Sequence, residues 1–254
     1  MLTEEHFKLF TRYKVTAMGE KLREIIEDTS YDAMTFEEKI EAMLDAELDA
    51  RDRRKVESLN RKARFKQKDA CVEDIIYLEG RTLSKDRMMR FAACEWVNEH
   101  DNLIILSSSG GGKSYIAQAL GNAACRLGLS VFYYRLADLI RDLDIARVNG
   151  NYYELMASFG DVDLLILDDF FTTPVSERGI IDLFEIIESR EGSGATAFAS
   201  QIDPAEWYLR IEAEVMADSI LNRIVKRARI IDIDGPNMRE HFAEKRKNAE
   251  GHWE

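Results

Sequence analysis

The stretch LIILSSSGGGKSYIAQAL, residues 103–120, constrains the fold more than any other part of the chain. It begins as an apolar run, passes through three serines and three glycines, and resumes as a helix-forming run behind Lys113 and Ser114. Small residues let successive backbone N–H groups turn toward phosphate oxygens, while a lysine can reach the β- and γ-phosphates. We interpret the stretch as a strand–loop–helix unit that binds a polyphosphate at a helix N-terminus.

The loop matches the Walker A pattern G-x-x-x-x-G-K-[ST] except at its first glycine, where the chain has Ser107. An ordinary glycine-rich turn is the alternative, but Gly-Lys-Ser directly after an apolar strand favours the phosphate loop. Ser114 is also a predicted metal ligand, so the predicted cofactors are ATP and Mg²⁺. The predicted nucleotide-binding residues are consecutive: Ser109, Gly110, Gly111, Gly112, Lys113, Ser114 and Tyr115.

Apolar runs alternate with helix-forming segments from Leu103 onward. The predicted strands cover residues 103–106, 130–134, 163–167, 195–200 and 229–233. Such alternation is typical of an α/β protein whose parallel sheet is covered by helices on both faces. A ligand is then expected beyond the carboxyl ends of the strands.

Two of these strands end in side chains that suit phosphate chemistry. Asp168 and Asp169 follow LLIL, which favours a Walker B strand over a single carboxylate that merely ends a strand. We predict that Asp168 holds Mg²⁺ through water and that Asp169 orients and deprotonates the attacking water. The next strand ends in Ser200 and Gln201, and either could contact the γ-phosphate or simply close the strand.

Arg223 lies in a predicted helix just before the last strand, within the apolar context ILNRI. An arginine held at a surface in this way can stabilise the γ-phosphate charge in a neighbouring subunit. An ordinary arginine on a helix surface explains the spacing equally well.

Residues 1–68 are predicted to form an N-terminal helical segment for DNA or partner binding, and residues 69–254 an ATPase domain. Thr35 and Glu38 form a predicted capping box. The apolar residues that follow are predicted to form one stripe: Ile40, Met43, Leu44 and Leu48. A further helix is predicted over residues 84–100, with Ser84 as its cap.

The chain carries a net charge of −12, yet residues 51–68 contain nine Arg or Lys against Asp52 and Glu57. A solvated helix face is the usual fate of such a run. Its clustering in an acidic protein favours contact with DNA phosphates, with affinity from counterion release. Phe65 could insert or pack. The predicted DNA-binding residues are Arg53, Arg54, Arg61, Lys62 and Arg64.

Other features exclude several protein classes. No apolar run approaches the ~18 residues that a membrane span needs, and the N-terminus lacks the pattern of a secretory signal. Cys71, Cys94 and Cys125 show no CxxC spacing, which indicates reduced thiols and no cysteine metal site. These observations predict a cytoplasmic protein without a membrane partner.

The order of four segments resembles the IstB-like branch of the AAA+ ATPases, helper proteins of insertion-sequence transposons related to the helicase loader DnaC. The segments are SSSGGGKS, LLILDDF, ASQIDPAEW and ILNRIVKRARIIDIDGPNMR. The resemblance implies an AAA+ P-loop core with strand order 5-1-4-3-2, without a C-terminal lid domain. It also implies a homo-oligomer that hydrolyses ATP, shares its nucleotide sites between subunits and grips duplex DNA.

Within that resemblance, Arg223 matches the arginine-finger position. Arg239 matches a terminal Ser-x-Arg-like element, although Asn237 stands where serine is usual. The predicted catalytic residues are Lys113, Asp169, Gln201 and Arg223.

The predicted function is an ATP-dependent helper that lets a transposase select or engage target DNA. A DnaC-like helicase loader would share the chemistry and differ in its partner. Asp168, Asp169 and the late Arg223 suit water activation better than a small-molecule kinase. Ser107 in place of a glycine leaves a nucleotide-gated scaffold as a further alternative.

Overall fold

A computed structural model describes residues 2–250 of the chain and the side chains of residues 2–245. Residue 1 and residues 251–254, which the predicted domains include, lie outside the described residues. The chain divides into two compact units, one ending at Ser58 and the other beginning at Leu59.

The first unit is helical. Its helices are α1 (Glu4–Arg12), α2 (Thr16–Glu27) and α3 (Phe36–Ala63), with a 3-10 turn at Thr29–Tyr31. Helix α3 continues beyond Ser58 into the second unit. The predicted capping box is present at its start, because Glu38 Oε2 accepts a hydrogen bond of 2.7 Å from the Thr35 N–H. Thr35 Oγ1 in turn accepts one of 3.3 Å from the Glu38 N–H.

The interior of the first unit contains a charged residue, Glu47. Its carboxylate accepts hydrogen bonds from the Ala17 and Met18 N–H groups at the start of α2, at 3.1 and 3.4 Å. It also forms ion pairs of 3.0 Å with Arg51 and 3.1 Å with Arg54. Arg54, a predicted DNA-binding residue, is therefore engaged by its own unit.

The predicted apolar stripe on α3 is only partly correct. Met43 is buried, whereas Leu44 and Leu48 are 55% and 57% exposed. The physical reason is that Met43 and Glu47, four residues apart, share the helix face that packs against the rest of the first unit. Leu44 and Leu48 each follow one of these residues and therefore lie on a neighbouring, exposed face.

The second unit is built on a five-stranded sheet. Its strands are β1 (Asn102–Ser107), β2 (Val131–Arg135), β3 (Leu164–Asp168), β4 (Ala195–Ser200) and β5 (Ala228–Ile233). All pairings are parallel, and the order is β2-β3-β4-β1-β5. Read from the opposite edge this is 5-1-4-3-2, so the predicted AAA+ strand order and all five predicted strands are confirmed.

Helices cover both faces of the sheet, as predicted. They are α4 (Lys85–Ala92), α5 (Glu95–Asn98), α6 (Lys113–Arg126), α7 (Leu136–Asn149), α8 (Tyr152–Gly160), α9 (Glu177–Arg190), α10 (Pro204–Tyr208), α11 (Glu214–Val225) and α12 (Met238–Glu250). Successive β1 residues enter different cores: Leu103 and Ile105 pack on one face, and Ile104 packs on the other. No helix within residues 2–250 is long and apolar enough to span a membrane.

The helix predicted over residues 84–100 begins at its predicted cap but is broken in two. Ser84 Oγ accepts the Arg87 N–H at 3.5 Å. Cys94 then adopts a left-handed φ of +55°, and α5 starts after it. The break lets Trp96 be buried beside Phe91, whose carbonyl accepts the indole N–H at 3.0 Å. Helical periodicity does not reveal such a side-chain-to-backbone contact.

Phe65 is buried in the second unit, at 5% exposure, and packs against α6. A Cβ atom on Gly121 would lie 2.7 Å from the Phe65 ring, so the glycine makes room for it. Gln118 Oε1 accepts the N–H groups of Lys66 and Gln67 at 2.8 Å each, which fixes the chain after Phe65 along α6. Phe65 therefore packs and is not available for insertion into DNA. Residues 59–68, grouped with the N-terminal segment from sequence, belong to this unit.

Arg190 is a buried cation, 2% exposed, that binds backbone instead of a carboxylate. Its guanidinium donates to the carbonyls of Val162, at 2.9 Å, and of Phe159 and Ala195, and to Thr196 Oγ1 at 2.9 Å. Burial lowers the pKa of Arg190 to about 10. The residue thus joins the amino ends of β3 and β4 to the end of α8.

Arg190→Met is expected to lower the free energy of unfolding by about 3 kcal/mol or more, because each buried carbonyl left unpaired costs about 1–3 kcal/mol. Chemical denaturation followed by circular dichroism measures the change. Arg178→Met, on the exposed face of the same helix, is the control, with an expected effect within about 0.5 kcal/mol. Equal stability of the two variants would contradict the structural role of Arg190.

Candidate nucleotide-binding site

The loop between β1 and α6 has the backbone conformation that glycine favours. Gly110 and Gly112 have φ angles of +84° and +95°, and Gly112 is the N-cap of α6. A Cβ atom on Gly111 would lie 2.2 Å from Ser107 Oγ. The serine that replaces the first Walker A glycine thus occupies space left by Gly111, and its hydroxyl donates to the Ser108 carbonyl at 2.8 Å.

A cavity of about 460 Å³ opens beside this loop, a size typical of small-molecule sites. Lys113, Ser114 and Tyr115 line it together with residues from the connector before α4 and from the start of α12. Its apolar lining includes Ile75, Ile76, Met238 and Phe242, and its cations are Arg81, Lys113 and Arg239. Apolar and cationic walls are the combination that a nucleotide requires.

Ser114 and Asp168 lie together, as the predicted metal ligands should. Ser114 Oγ donates to Asp168 Oδ1 at 3.1 Å, and the buried Asp168 carboxylate also accepts from Tyr133 Oη at 2.7 Å and the Asp169 N–H at 2.8 Å. Burial, with the adjacent Asp168 charge, raises the pKa of Tyr133 well above its usual range. Mg²⁺ uses one or two protein oxygens plus phosphates and water, so this pair fits that ion. Among the described residues, no group of three or more His, Cys, Asp or Glu could form an all-protein metal site.

Lys113 is 6% exposed at the start of α6. Removal from water lowers the pKa of Lys113, and the nearby Asp168 and Asp169 charges act in the opposite direction. A desolvated ammonium of this kind gains most from an anion placed beside it, and a nucleotide phosphate is such an anion.

Asp169 follows β3 with a left-handed φ of +51°. Its Oδ2 atom lies 3.4 Å from Arg135 Nε, and the Asp169 side chain is 33% exposed. The predicted base therefore carries an ion pair with a residue at the end of β2, and this pairing raises the pKa of Arg135 against the effect of burial.

The structure separates the two candidates that follow β4. Ser200 Oγ is buried and fully engaged, since it donates to the Phe170 carbonyl at 2.9 Å and accepts from Trp207 Nε1 and the Ile202 N–H. Gln201 is exposed just beyond the strand that pairs with β1. Gln201 is therefore the better placed of the two for contact with a bound phosphate.

Arg223 lies on α11, at the end of the sheet opposite the phosphate loop. Its carbonyl accepts a hydrogen bond of 3.0 Å from Asn102 Nδ2, and Asn102 is the first residue of β1. A six-residue strand is roughly 16 Å long, so Arg223 does not reach the loop of its own chain. Its guanidinium pairs with Glu188 at 3.0 Å and Glu191 at 3.1 Å.

The family model described as IstB-like ATP binding protein matches residues 9–247. The chain belongs to this family. An insertion-sequence ATP-binding protein of Sinorhizobium fredii is 36% identical over 227 residues, covering 89% of this chain and 92% of that protein. One of Pseudomonas fluorescens is 33% identical over 202 residues, covering 80% and 87%.

The IstB-like chain also resembles the crystal structure of the DnaC helicase loader, with a TM-score of 0.57 at 17% identity. The match covers 65% of this chain and 97% of that one, and it concerns the fold. Family and fold together confirm an ATP-binding protein with an AAA+ fold.

The predicted DNA-binding residues of the IstB-like protein differ in their surroundings. Arg53, Arg61 and Lys62 are exposed on α3. Arg64, just after the helix, bonds to Tyr134 Oη, stacks 5.2 Å from that ring and lies 4.0 Å from Asp142. Arg64 and the Glu47-bound Arg54 thus have partners within their own units, and no contact of the described residues assigns such a partner to the other three.

Two residues near the site of the IstB-like protein, Arg81 and Arg135, were missed from the sequence. Arg135 could have been found, because it follows the predicted strand SVFYY and so lies, like the Walker residues, at the carboxyl ends of the strands. Arg81 offered no signal, since it belongs to an irregular connector and reaches the loop only through the fold.

Proposed function

We propose that this IstB-like protein is an ATP-hydrolysing, DNA-binding oligomer that helps the transposase of its element to select or engage target DNA. The observation that carries the proposal is the meeting of the glycine loop with Ser114, Asp168 and Asp169 at the carboxyl ends of β1 and β3. The names of the relatives, which are insertion-sequence ATP-binding proteins, support the transposition context.

For hydrolysis, each side chain has one role. Ser114 and Asp168 would hold Mg²⁺, which supplies charge neutralisation on the phosphates when bound. Lys113 contacts the β- and γ-phosphates, Asp169 orients the attacking water and takes its proton, and Gln201 contacts the γ-phosphate or that water. Asp169 must leave Arg135 to do so, a small cost for a partly exposed ion pair.

For assembly, the position of Arg223 supports sites shared between subunits. Because this arginine lies a strand's length from its own loop, it is useful to catalysis only beside the pocket of a neighbour. Glu188 and Glu191 hold its guanidinium at the surface of α9 and α11, and Phe184 packs 5.0 Å from it. The arginine is thus oriented before assembly.

For DNA, the exposed Arg53, Arg61 and Lys62 support contact with phosphates. Such contacts gain affinity from counterion release and carry little base recognition. Arg54 and Arg64 already have protein partners, so they contribute less than the sequence suggested.

Arg61→Ala/Lys62→Ala is the test of the DNA part of this proposal. Each lost phosphate contact flattens the slope of log affinity against log salt by roughly 0.9, so the double variant is expected to flatten it by about 1.8. Unrelated duplexes are expected to be weakened by similar factors. Fluorescence anisotropy at several salt concentrations measures this. Lys85→Ala/Arg178→Ala, which removes two exposed positive charges elsewhere, is the control and should keep the parent slope. A parent-like slope in the Arg61/Lys62 variant would exclude this segment as the DNA contact.

A further inference from the structure

Arg81 contacts the phosphate loop although it lies in an irregular connector that no motif includes. Its Nη2 atom donates to the Gly111 carbonyl at 2.6 Å, and its Nη1 atom donates to the Ile76 carbonyl at 2.7 Å. The guanidinium thus bridges the apolar wall of the cavity and the loop. The planar guanidinium of an arginine can donate to both carbonyls at once through its two Nη atoms, a geometry that a lysine ammonium does not provide.

The position of Arg81 is fixed by the end of β5. Thr82 exchanges hydrogen bonds with Asp234, through its N–H at 3.1 Å and its hydroxyl at 2.9 Å. A Cβ atom on Gly235, whose φ is +125°, would lie 2.9 Å from the Arg81 Cα and Cγ atoms. The stem of Arg81 therefore passes where only a glycine leaves room, and its head is directed to the loop.

The charge of Arg81 is not paired with a carboxylate among the described residues. Burial lowers the pKa of Arg81, and among the described groups the only titratable neighbour that acts on it is Tyr77. Its Nε atom is buried and has no hydrogen-bond partner within the part of the chain that the structure describes. Lys113 and Arg239 line the same cavity, and its lining carboxylate, Asp74, forms no ion pair with Arg81 among the described residues. A half-buried cation without a paired counter-charge is costly, and a bound anion reduces that cost.

The bond to Gly111 also determines where the loop directs its donors. In a trans peptide the C=O and the following N–H point in opposite directions. When Arg81 holds the Gly111 carbonyl on one side, the Gly112 N–H is turned to the other. The Gly110 carbonyl is held in the same way by the Met238 N–H, at 2.9 Å. Two successive carbonyl dipoles, which would repel phosphate, are thus bound by donors from outside the loop.

We propose that Arg81 is a positioning residue for nucleotide phosphates: it holds the Gly111 carbonyl away from them, orients the Gly112 N–H and adds positive charge to the cavity. The affinity for nucleoside di- and triphosphates then depends on Arg81. This inference rests on the proposed use of the loop for nucleotide binding and assigns a determinant of it outside the Walker motifs.

The test is the dissociation constant for ATP and ADP of Arg81→Met in the full chain, measured by calorimetry. Loss of the charge-assisted hydrogen bond to the loop carbonyl of Gly111, and of the charge, is expected to weaken the binding of both nucleotides about tenfold or more. Arg81→Lys, which keeps the charge without the fork, is expected to fall between the parent and Arg81→Met. Arg87→Met is the matched control, because Arg87 also donates to a backbone carbonyl, that of Ile230, but outside this cavity.

A second readout separates positioning from mere stability. Guanidinium at millimolar concentration should restore part of the ADP affinity of Arg81→Ala and leave the parent and Arg87→Met unchanged. Parent-like nucleotide affinity in folded Arg81→Met would overturn this inference and leave the proposed function standing. If Arg81→Met does not fold, parent-like affinity in both Arg81→Lys and Arg81→Ala would overturn it in the same way. If the parent binds neither nucleotide, the proposed function fails, and the role of Arg81 fails with it.

Discussion

Asp169→Asn is expected to bind ATP with nearly the parent affinity and to hydrolyse it at least about a hundredfold more slowly. A positioned general base contributes about 10²–10⁴ to the rate, and asparagine has the shape of aspartate without its basicity. Binding persists because Lys113, Ser114 and Asp168 are unchanged, and the hydrogen bond to Asp168 Oδ1 is donated by the backbone N–H of residue 169, which the substitution keeps. The lost ion pair with Arg135 is partly exposed and costs little stability.

Phosphate release under saturating ATP, beside equilibrium ATP binding, measures the two effects of Asp169→Asn. Asp161→Asn, an exposed aspartate outside the site, is the matched control and should retain the parent rate. Since ATP persists in the Asp169→Asn site, its complex with DNA is expected to live longer than that of the parent. Unaltered turnover would mean that another group activates the water.

Arg223→Ala is expected to bind ATP like the parent and to lose about a thousandfold or more in turnover. An arginine that meets the γ-phosphate from a neighbour contributes about 10³–10⁵ to the rate, and the pocket of the same chain keeps all its own groups. Arg227→Ala is the matched control: it lies on the same side of the unit, and its guanidinium pairs with Asp101 at 3.3 Å. Equal turnover in the two variants would reduce Arg223 to a surface ion pair with Glu188 and Glu191.

The sheet and the phosphate loop were predictable from the sequence because their signals are local. An apolar run of five residues, a glycine turn and an amphipathic helix can each be recognised within a short window of sequence. Their repetition implies the parallel sheet, and the resemblance supplied the strand order. The meeting of Ser114 and Asp168 then follows, since both lie at carboxyl ends of strands in one sheet.

The errors lie where the packing of side chains decides the outcome. Cys94 breaks a helix so that Trp96 can bond to Phe91, and periodicity carries no trace of this. Leu44 continues the apolar pattern of α3 but lies outside the face that Met43 packs. Local signals fix an element and leave its packing partner open.

The basic run shows the same limit for function. Its net charge was evident, yet Arg54 and Arg64 turned out to have partners in their own units. Arg81 is the opposite case. It belongs to an irregular connector and no motif includes it, yet the hydrogen bonds between Thr82 and Asp234 position it so that it bonds to the loop. Charge can be counted from sequence, but the partner of each charge is a property of the fold.

The most direct test of a nucleotide site shared between subunits is ATP turnover in mixtures of Arg223→Ala and Lys113→Ala chains. Lys113→Ala lacks the phosphate-binding lysine but offers an intact Arg223, and Arg223→Ala offers an intact pocket. Each variant alone is expected to be nearly inactive. In the mixture, turnover is expected to rise above both and to be largest near equal proportions. Turnover equal to the weighted sum of the two variants at every ratio, in mixtures shown by crosslinking to co-assemble, would contradict the shared site.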